Sequence, residues 1–105
     1  MKQVTILQLD ETKSVQVRYK MFASIDLLKE MGLEINLEEY KIVWTGDMDI
    51  EDAEDVYMAL QGRKPEGYKG HSLSVSDIVI IDGMTFYCND YGFVDITWTP
   101  YGEAA

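Results

Sequence analysis

The residues best suited to chemistry lie in one short segment, where His71 is followed by three serines and by Asp77. A histidine, a carboxylate and a serine are the components of a hydrolase triad. The sequence has neither the G-x-S-x-G turn that exposes a nucleophilic serine nor a second histidine. The simpler interpretation is that Ser74 or Ser76 and Asp77 hydrogen-bond turn amides while His71 fixes the loop. We expect no enzyme and no catalytic residue, and a hydrolase centred on His71 and Asp77 is the least favoured hypothesis.

Acidic residues alternate in Asp47-Met48-Asp49-Ile50-Glu51, in the manner of the start of a calcium-binding loop. The sixth position of such a loop needs Gly and the twelfth needs Glu, whereas this chain has Asp52 and Met58 there. For a transition metal, His71 and Cys88 are the only soft or borderline ligands, and the usual sites need three or four. We therefore expect no metal and no cofactor.

The charge is strongly and unevenly negative. Nine Lys and Arg against nineteen Asp and Glu give a net charge of −10, which argues against direct binding to nucleic acid or to an anionic membrane. Eleven of the acids and only two lysines lie in residues 26–55, so this segment carries −9 and the remainder −1. These charges could simply be solvated, or they could form one acidic docking face for a basic partner. The candidates on the acidic helix, where the helix dipole also favours carboxylates, are Glu51, Asp52, Glu54 and Asp55.

The flanking sequence predicts the elements that must position these groups. Alternating apolar residues before and after a turn at 10–13 predict an opening hairpin that includes Val15 and Val17. Ser24 and Gly32 have the residue types that begin and end a helix, and residues 40–45 have the β-branched and aromatic density of a strand.

The central helix has the clearest pattern. Asp49 is placed at its N-cap, apolar residues recur at helical spacing from Ala53 to Leu60, and Arg63-Lys64 completes its end. Gly62 then marks its exit.

The last third of the chain predicts a three-stranded meander. Asp82-Gly83 is a dipeptide favoured in a two-residue type I′ turn, and it separates apolar strands at 78–81 and 84–88. A second turn at 89–92 leads into a strand at 93–98, and Cys88 is interpreted as a small core residue. The predicted fold is α+β, with two short helices on a mostly antiparallel sheet of four to six strands that could curl toward a barrel.

Length and cysteine content suggest one domain in a reducing compartment. The 105 residues suit a single domain, with a core at about 4–98 and a tail at 99–105. A lone cysteine forms no internal disulfide, no apolar run is long enough for a membrane helix, and the first residues do not resemble a signal peptide. We expect a cytoplasmic protein.

The run Gly70-His71-Ser72-Leu73-Ser74-Val75-Ser76-Asp77-Ile78 resembles the signature of the YodL-like domains. The likeness extends downstream to Phe86-Tyr87-Cys88 and Asp90-Tyr91-Gly92-Phe93, and upstream to the segment from Tyr40 to Trp44. The resemblance covers residues 4–96. It implies a small bacterial domain of mostly uncharacterised function, found alone or beside antirestriction and DNA-processing modules of mobile and conjugative elements. It transfers no catalytic residue.

Loops held by a rigid hairpin are where binding residues concentrate, so the loop candidates for recognition are Tyr68, His71, Ser72, Ser74 and Asp77. Tyr91, Trp98 and Tyr101 could anchor an interface, although such residues more often complete a core. The favoured hypothesis is a non-enzymatic bacterial accessory domain that binds an unidentified, preferably basic protein. The alternative is an acidic nucleic-acid mimic that inhibits restriction. Strand order and oligomeric state stay open.

Overall fold

The computed structural model describes residues 1–98 and has a five-stranded antiparallel sheet with helices on both faces. The strands are β1 (Lys2–Leu9), β2 (Tyr40–Met48), β3 (Ile78–Ile81), β4 (Met84–Asn89) and β5 (Gly92–Asp95). The helices are α1 (Val17–Lys20), α2 (Ile25–Met31) and α3 (Ala53–Gln61), with a 3-10 turn at Leu37–Glu39. The order across the sheet is β2-β1-β3-β4-β5. The predicted α+β fold is confirmed, and the sheet is open, with β2 and β5 as its outer strands.

Alternation along the central strands divides the core into two layers. Val4 and Ile6 of β1 pack with Val56 of α3, on what we call the α3 face of the sheet. Leu7 points the other way and packs with Leu28 of α2, on the α2 face. Because successive side chains of a strand alternate, each central strand contributes to both layers.

The predicted opening hairpin is wrong. Val17 begins α1 and is fully buried on the α2 face, whereas Val15 is exposed. β1 pairs instead with β2 and β3, both distant in sequence. The alternation of residues 15 and 17 is too short to distinguish a strand from a helical turn, and the packing of Val17 and Lys20 decides between them.

Signals that act through the local backbone are confirmed. The Ser24 hydroxyl accepts a hydrogen bond from the Leu27 N–H at 3.2 Å, and Gly32 ends α2 in the left-handed conformation with φ of 69°. Asp82 and Gly83 both have positive φ, 47° and 85°, as a type I′ turn requires. The meander of β3, β4 and β5 follows from this turn and the next.

Two element boundaries differ from those predicted. Asp52, not Asp49, is the N-cap of α3, and the helix ends before Arg63-Lys64. The Asp52 carboxylate accepts from the Asp55 N–H at 3.0 Å, while the Asp55 carboxylate accepts from the Glu51 N–H at 2.9 Å. The two hydrogen bonds fix the chain on both sides of the cap and select one start from several suitable aspartates.

β5 ends at Asp95, three residues earlier than predicted, and Trp98 is 84% exposed instead of sharing a core face with the buried Ile96. Tyr101 lies outside the described residues. None of the helices in residues 1–98 is long and apolar enough to cross a membrane.

Candidate functional site

A buried polar cluster fixes residues 68–77, which we call the signature loop. Gln8 of β1 and Asp77, the residue before β3, are 1% and 2% exposed. Gln8 Nε2 donates to Asp77 Oδ2 at 3.1 Å and to the carbonyl oxygen of His71 at 2.9 Å. Gln8 Oε1 in turn accepts from the His71 N–H at 3.2 Å. One amide side chain therefore ties the middle of the loop to its end.

The Asp77 carboxylate also organises the loop directly. Its Oδ2 accepts from the Ser74 N–H at 2.9 Å. Burial raises the pKa of Asp77 to about 6, although the Ser74 N–H, the charge of His71 and the Gln8 amide act in the opposite direction. Burial, with the Asp77 charge as a smaller cause, also raises the pKa of Tyr68 to about 12, so its hydroxyl stays protonated and donates to the His71 carbonyl at 2.8 Å.

Sequence reasoning missed Gln8, the centre of this cluster. The available signal was its position: Val4, Ile6 and Gln8 alternate along β1, so an amide stands where a buried apolar side chain is expected. Gly70 packs against this amide. A Cβ at Gly70 would lie only 2.9 Å from Gln8 Cδ and from Val43 Cγ1, so a larger residue there would displace the Gln8 amide.

The side chains of His71 and Ser76 also make contacts outside this cluster. His71 is exposed; its Nδ1 lies 2.7 Å from the Ser72 carbonyl oxygen, and its ring is 6.3 Å from that of Phe22. Ser76 is buried with φ of 83°, and its hydroxyl accepts from the Phe22 N–H at 3.0 Å. The loop is thus attached to the segment between α1 and α2 as well as to β1.

A groove of about 460 Å³ lies between α3, the signature loop and the β4–β5 hairpin. We call it the α3 groove. Its apolar lining is Tyr57, Met58, Leu73, Val75, Cys88 and Phe93, and its polar lining is Glu54, Ser74, Asn89 and Asp90. The Ser74 hydroxyl oxygen is buried and has no hydrogen-bond partner among the described residues. Cys88 is buried as predicted, and burial raises the pKa of its thiol to about 12.

Residues 3–98 match the family model of the YodL-like domain. The chain belongs to the YodL-like domain family. No curated protein and no solved structure matches the chain. In this YodL-like domain, the signature run on which the resemblance was based is the loop held by Gln8 and Asp77.

The structure brings some predicted site residues of this YodL-like domain together and separates others. Ser74 and Glu54 line the α3 groove. Tyr68, His71 and Asp77 belong to the polar cluster around Gln8, and Ser72 accepts from Lys64 Nζ at 3.2 Å. The remaining three predicted residues are at the start of α3: Glu51, Asp52 and Asp55.

The acidic segment does not form a single face. Asp26 is on α2, which packs on the opposite face of the sheet from Glu54 on α3. Glu39 is buried and forms an ion pair with Lys20. The segment is continuous in sequence, but its elements cross from one side of the sheet to the other.

The exposed aromatic residues also differ from the core interpretation. Tyr91 is 97% exposed in the turn between β4 and β5, directly between two residues that line the α3 groove.

Among residues 1–98, no group of three His, Cys, Asp or Glu side chains is placed to hold a metal ion.

Proposed function

We propose that this YodL-like domain is a non-enzymatic, cytoplasmic protein-interaction domain that binds a basic segment of another protein in the α3 groove. The observation that carries the proposal is that Ser74 of the signature loop and Glu54 of the acidic helix line the same groove. The family resemblance supports a role as an accessory domain of bacterial mobile genetic elements. The lone cysteine supports a reducing compartment.

The composition of the groove suits a protein partner. Met58 is 72% exposed and Tyr57 38%, and the exposed Tyr91 stands in the chain between Asp90 and Gly92, which both line the groove. Methionine and aromatic residues are enriched at protein interfaces, where the aromatic rings supply contact area and the flexible methionine side chain adapts to the shape of the partner. Glu54 and Asp90 add negative charge at this apolar surface, which favours a partner that presents a basic residue beside an apolar one.

The contacts around His71 support a structural role for it and for Asp77. Gln8 Nε2 lies between the two side chains, 3.3 Å from His71 Nδ1 and 3.1 Å from Asp77 Oδ2. A triad needs a carboxylate that bonds directly to the histidine. Here the carboxylate accepts from Gln8 and Ser74 instead.

The distribution of charge favours a local docking site over nucleic-acid mimicry. A mimic needs carboxylates along one face at phosphate-like spacing. In this domain the acids of α2 and α3 lie on opposite faces of the sheet.

A matched pair of charge reversals tests the proposal. Glu54 and Asp26 are both exposed acids in the first turn of a helix, so each change to Lys has a similar effect on its own helix dipole. Tagged wild type, Glu54→Lys and Asp26→Lys are used for capture from a bacterial lysate, with quantification by mass spectrometry at low and high salt. We expect a protein that Glu54→Lys loses, that Asp26→Lys retains and that high salt weakens.

An uncharged variant separates the groove from its charge. Met58→Ala leaves every charge in place but removes apolar contact area, so it also reduces recovery of the same protein. Equal recovery of every protein by wild type, Glu54→Lys and Met58→Ala would contradict a binding site in the α3 groove.

A further inference from the structure

The outer edge of β5 has unpaired main-chain groups. The Cys88 N–H donates to the Asp77 carbonyl at 2.8 Å, and the Cys88 carbonyl accepts from the Ser76 N–H at 2.9 Å, so both groups of Cys88 point away from β5. Cys88 is the register partner of Phe93. Opposite residues in an antiparallel pair either exchange both hydrogen bonds or direct both groups outward. The N–H and carbonyl of Phe93 therefore point away from the sheet.

The next outward-facing residue is Asp95. The Ile96 N–H donates to the Thr85 carbonyl at 2.8 Å, which places Ile96 among the inward-bonded residues and Asp95 among the outward ones. Within residues 1–98, no hydrogen bond reaches the main-chain groups of Phe93 or Asp95 at this edge. At the other outer strand, the Lys69 N–H donates to the Val43 carbonyl at 2.9 Å, so the connector after α3 packs against β2.

We propose that the β5 edge accepts an extended segment of a partner protein as a sixth strand, with an apolar residue opposite Phe93 and a Lys or Arg opposite Asp95. This inference rests on the proposed function and specifies how the partner enters the α3 groove. An unpaired strand edge is a template for such addition, because main-chain bonds supply affinity and alternate side chains supply specificity.

The side-chain pattern follows from the register. Phe93 lines the α3 groove, and Asp95 is opposite Phe86, which packs in the α3 layer. Phe93 and Asp95 therefore share the α3 face, and α3 contacts β5 there. A residue directly opposite on an added strand has its side chain on the same face. In an added strand that is antiparallel to β5, as every pair in this sheet is, the partner thus has its basic residue two positions before its apolar residue.

Charge complementarity selects a basic segment over a second copy of this domain. Asp95 is exposed, and hydrogen bonds from the Thr97 hydroxyl and N–H hold its pKa below its usual value. Two copies paired through β5 would bring their acidic edges together in a complex of two chains that each carry −10.

Amide hydrogen exchange, followed by NMR on the full chain, tests the edge directly. The probe is the blocked peptide TTKTITT, which in an antiparallel strand places Ile opposite Phe93 and Lys opposite Asp95. The matched control TTTKITT has the same composition but places its lysine on the opposite face of a strand. With millimolar TTKTITT, we expect exchange at Phe93 and Asp95 to slow by about tenfold. We expect little slowing with TTTKITT, and none with a TTKTITT peptide whose isoleucine is N-methylated.

Asp95→Asn keeps the oxygen that accepts from Thr97 and removes the charge, so it should weaken the preference for TTKTITT over TTTKITT. Unchanged exchange with every peptide would overturn the inference. Slow exchange of the Phe93 and Asp95 amides in the peptide-free protein would also overturn it. If that protection does not depend on protein concentration, another part of the same chain occupies the edge. If the protection grows with concentration, the occupant is a second copy of the domain. If any of these exchange results is found, but capture of a lysate protein still depends on Glu54, the α3 groove is a binding site and the added strand is not how the partner binds.

Discussion

Individual residues of the signature loop have identifiable structural roles. Leu73 is in the α3 layer, Ser76 takes a positive φ, and Gly70 leaves room for the Gln8 amide. Asp77 is the most consequential of them, because a buried carboxylate is costly unless donors compensate for its lost hydration. The donors here are Gln8 and the Ser74 main chain. An unusual polar run is thus explained by the fixing of one loop against β1.

Titration of Asp77 should make stability depend on pH. The pKa of its carboxyl is about 6 in the folded protein against an ordinary 3.8, so between these values the folded state binds more protons than the unfolded state. The contribution of Asp77 to the free energy of unfolding therefore falls by at most ~3 kcal/mol as the pH rises from about 4 to 6, and it is constant above pH 6. Asp77→Asn removes this dependence while keeping one oxygen for both donors.

Urea unfolding of wild type and Asp77→Asn across this pH range measures the effect. We expect the stability of Asp77→Asn relative to wild type to increase up to about pH 6 and then level off. Asp26→Asn, at an exposed site, is the control for general charge effects. If the difference in free energy of unfolding between Asp77→Asn and wild type stays constant with pH, the raised pKa of Asp77 would be contradicted.

At the scale of the elements, the sequence predicts those whose limits depend on local chemistry. The Ser24 cap, the Gly32 stop and the Asp82-Gly83 turn each need only a few adjacent residues, and each is confirmed. The start of α3 could not be predicted as well, since Asp49 and Asp52 are both suitable caps. The choice depends on which carboxylate meets its N–H once the following turn packs Ala53 and Val56 on the sheet.

The cap of α3 provides a matched test. Asp52→Ala removes the bond to the Asp55 N–H and should lower the free energy of unfolding by ~1 kcal/mol. Asp49→Ala changes an exposed residue outside the helix and should change it by less than ~0.5 kcal/mol. Urea unfolding at one pH compares the two variants, and an equal loss in both would show that Asp52 is not the cap that matters.

At the scale of the whole molecule, two helical layers share one thin sheet. α1 and α2 cover one face and α3 the other, and β1 and β3 contribute buried side chains to both. This arrangement divides the acidic segment between the faces and leaves β5 as an outer strand. It also implies that the two layers unfold together, because neither retains a core without the sheet.

A destabilising cavity in one layer should therefore shift the unfolding transition of the other layer as well. Leu28 is 1% exposed on the α2 face, and Leu28→Ala should lower the free energy of unfolding by ~2–5 kcal/mol. Trp44 packs in the α3 layer, so its fluorescence in a Trp98→Phe background reports on the opposite face. We expect this signal and the circular dichroism to shift together; a Trp44 transition unaffected by Leu28→Ala would indicate independent layers.

The α+β class, the meander of the last third, the limits of α2, the Asp82-Gly83 turn and the family were all predictable from the sequence. These depend on backbone preferences and side-chain periodicity that act over a few residues. The sequence did not predict that Val17 is helical, that Asp52 begins α3, that Gln8 is the centre of the signature loop, or that Glu54 and Ser74 line one groove. Those outcomes depend on contacts between residues far apart in the chain, whose free energy is gained only when the sheet brings them together.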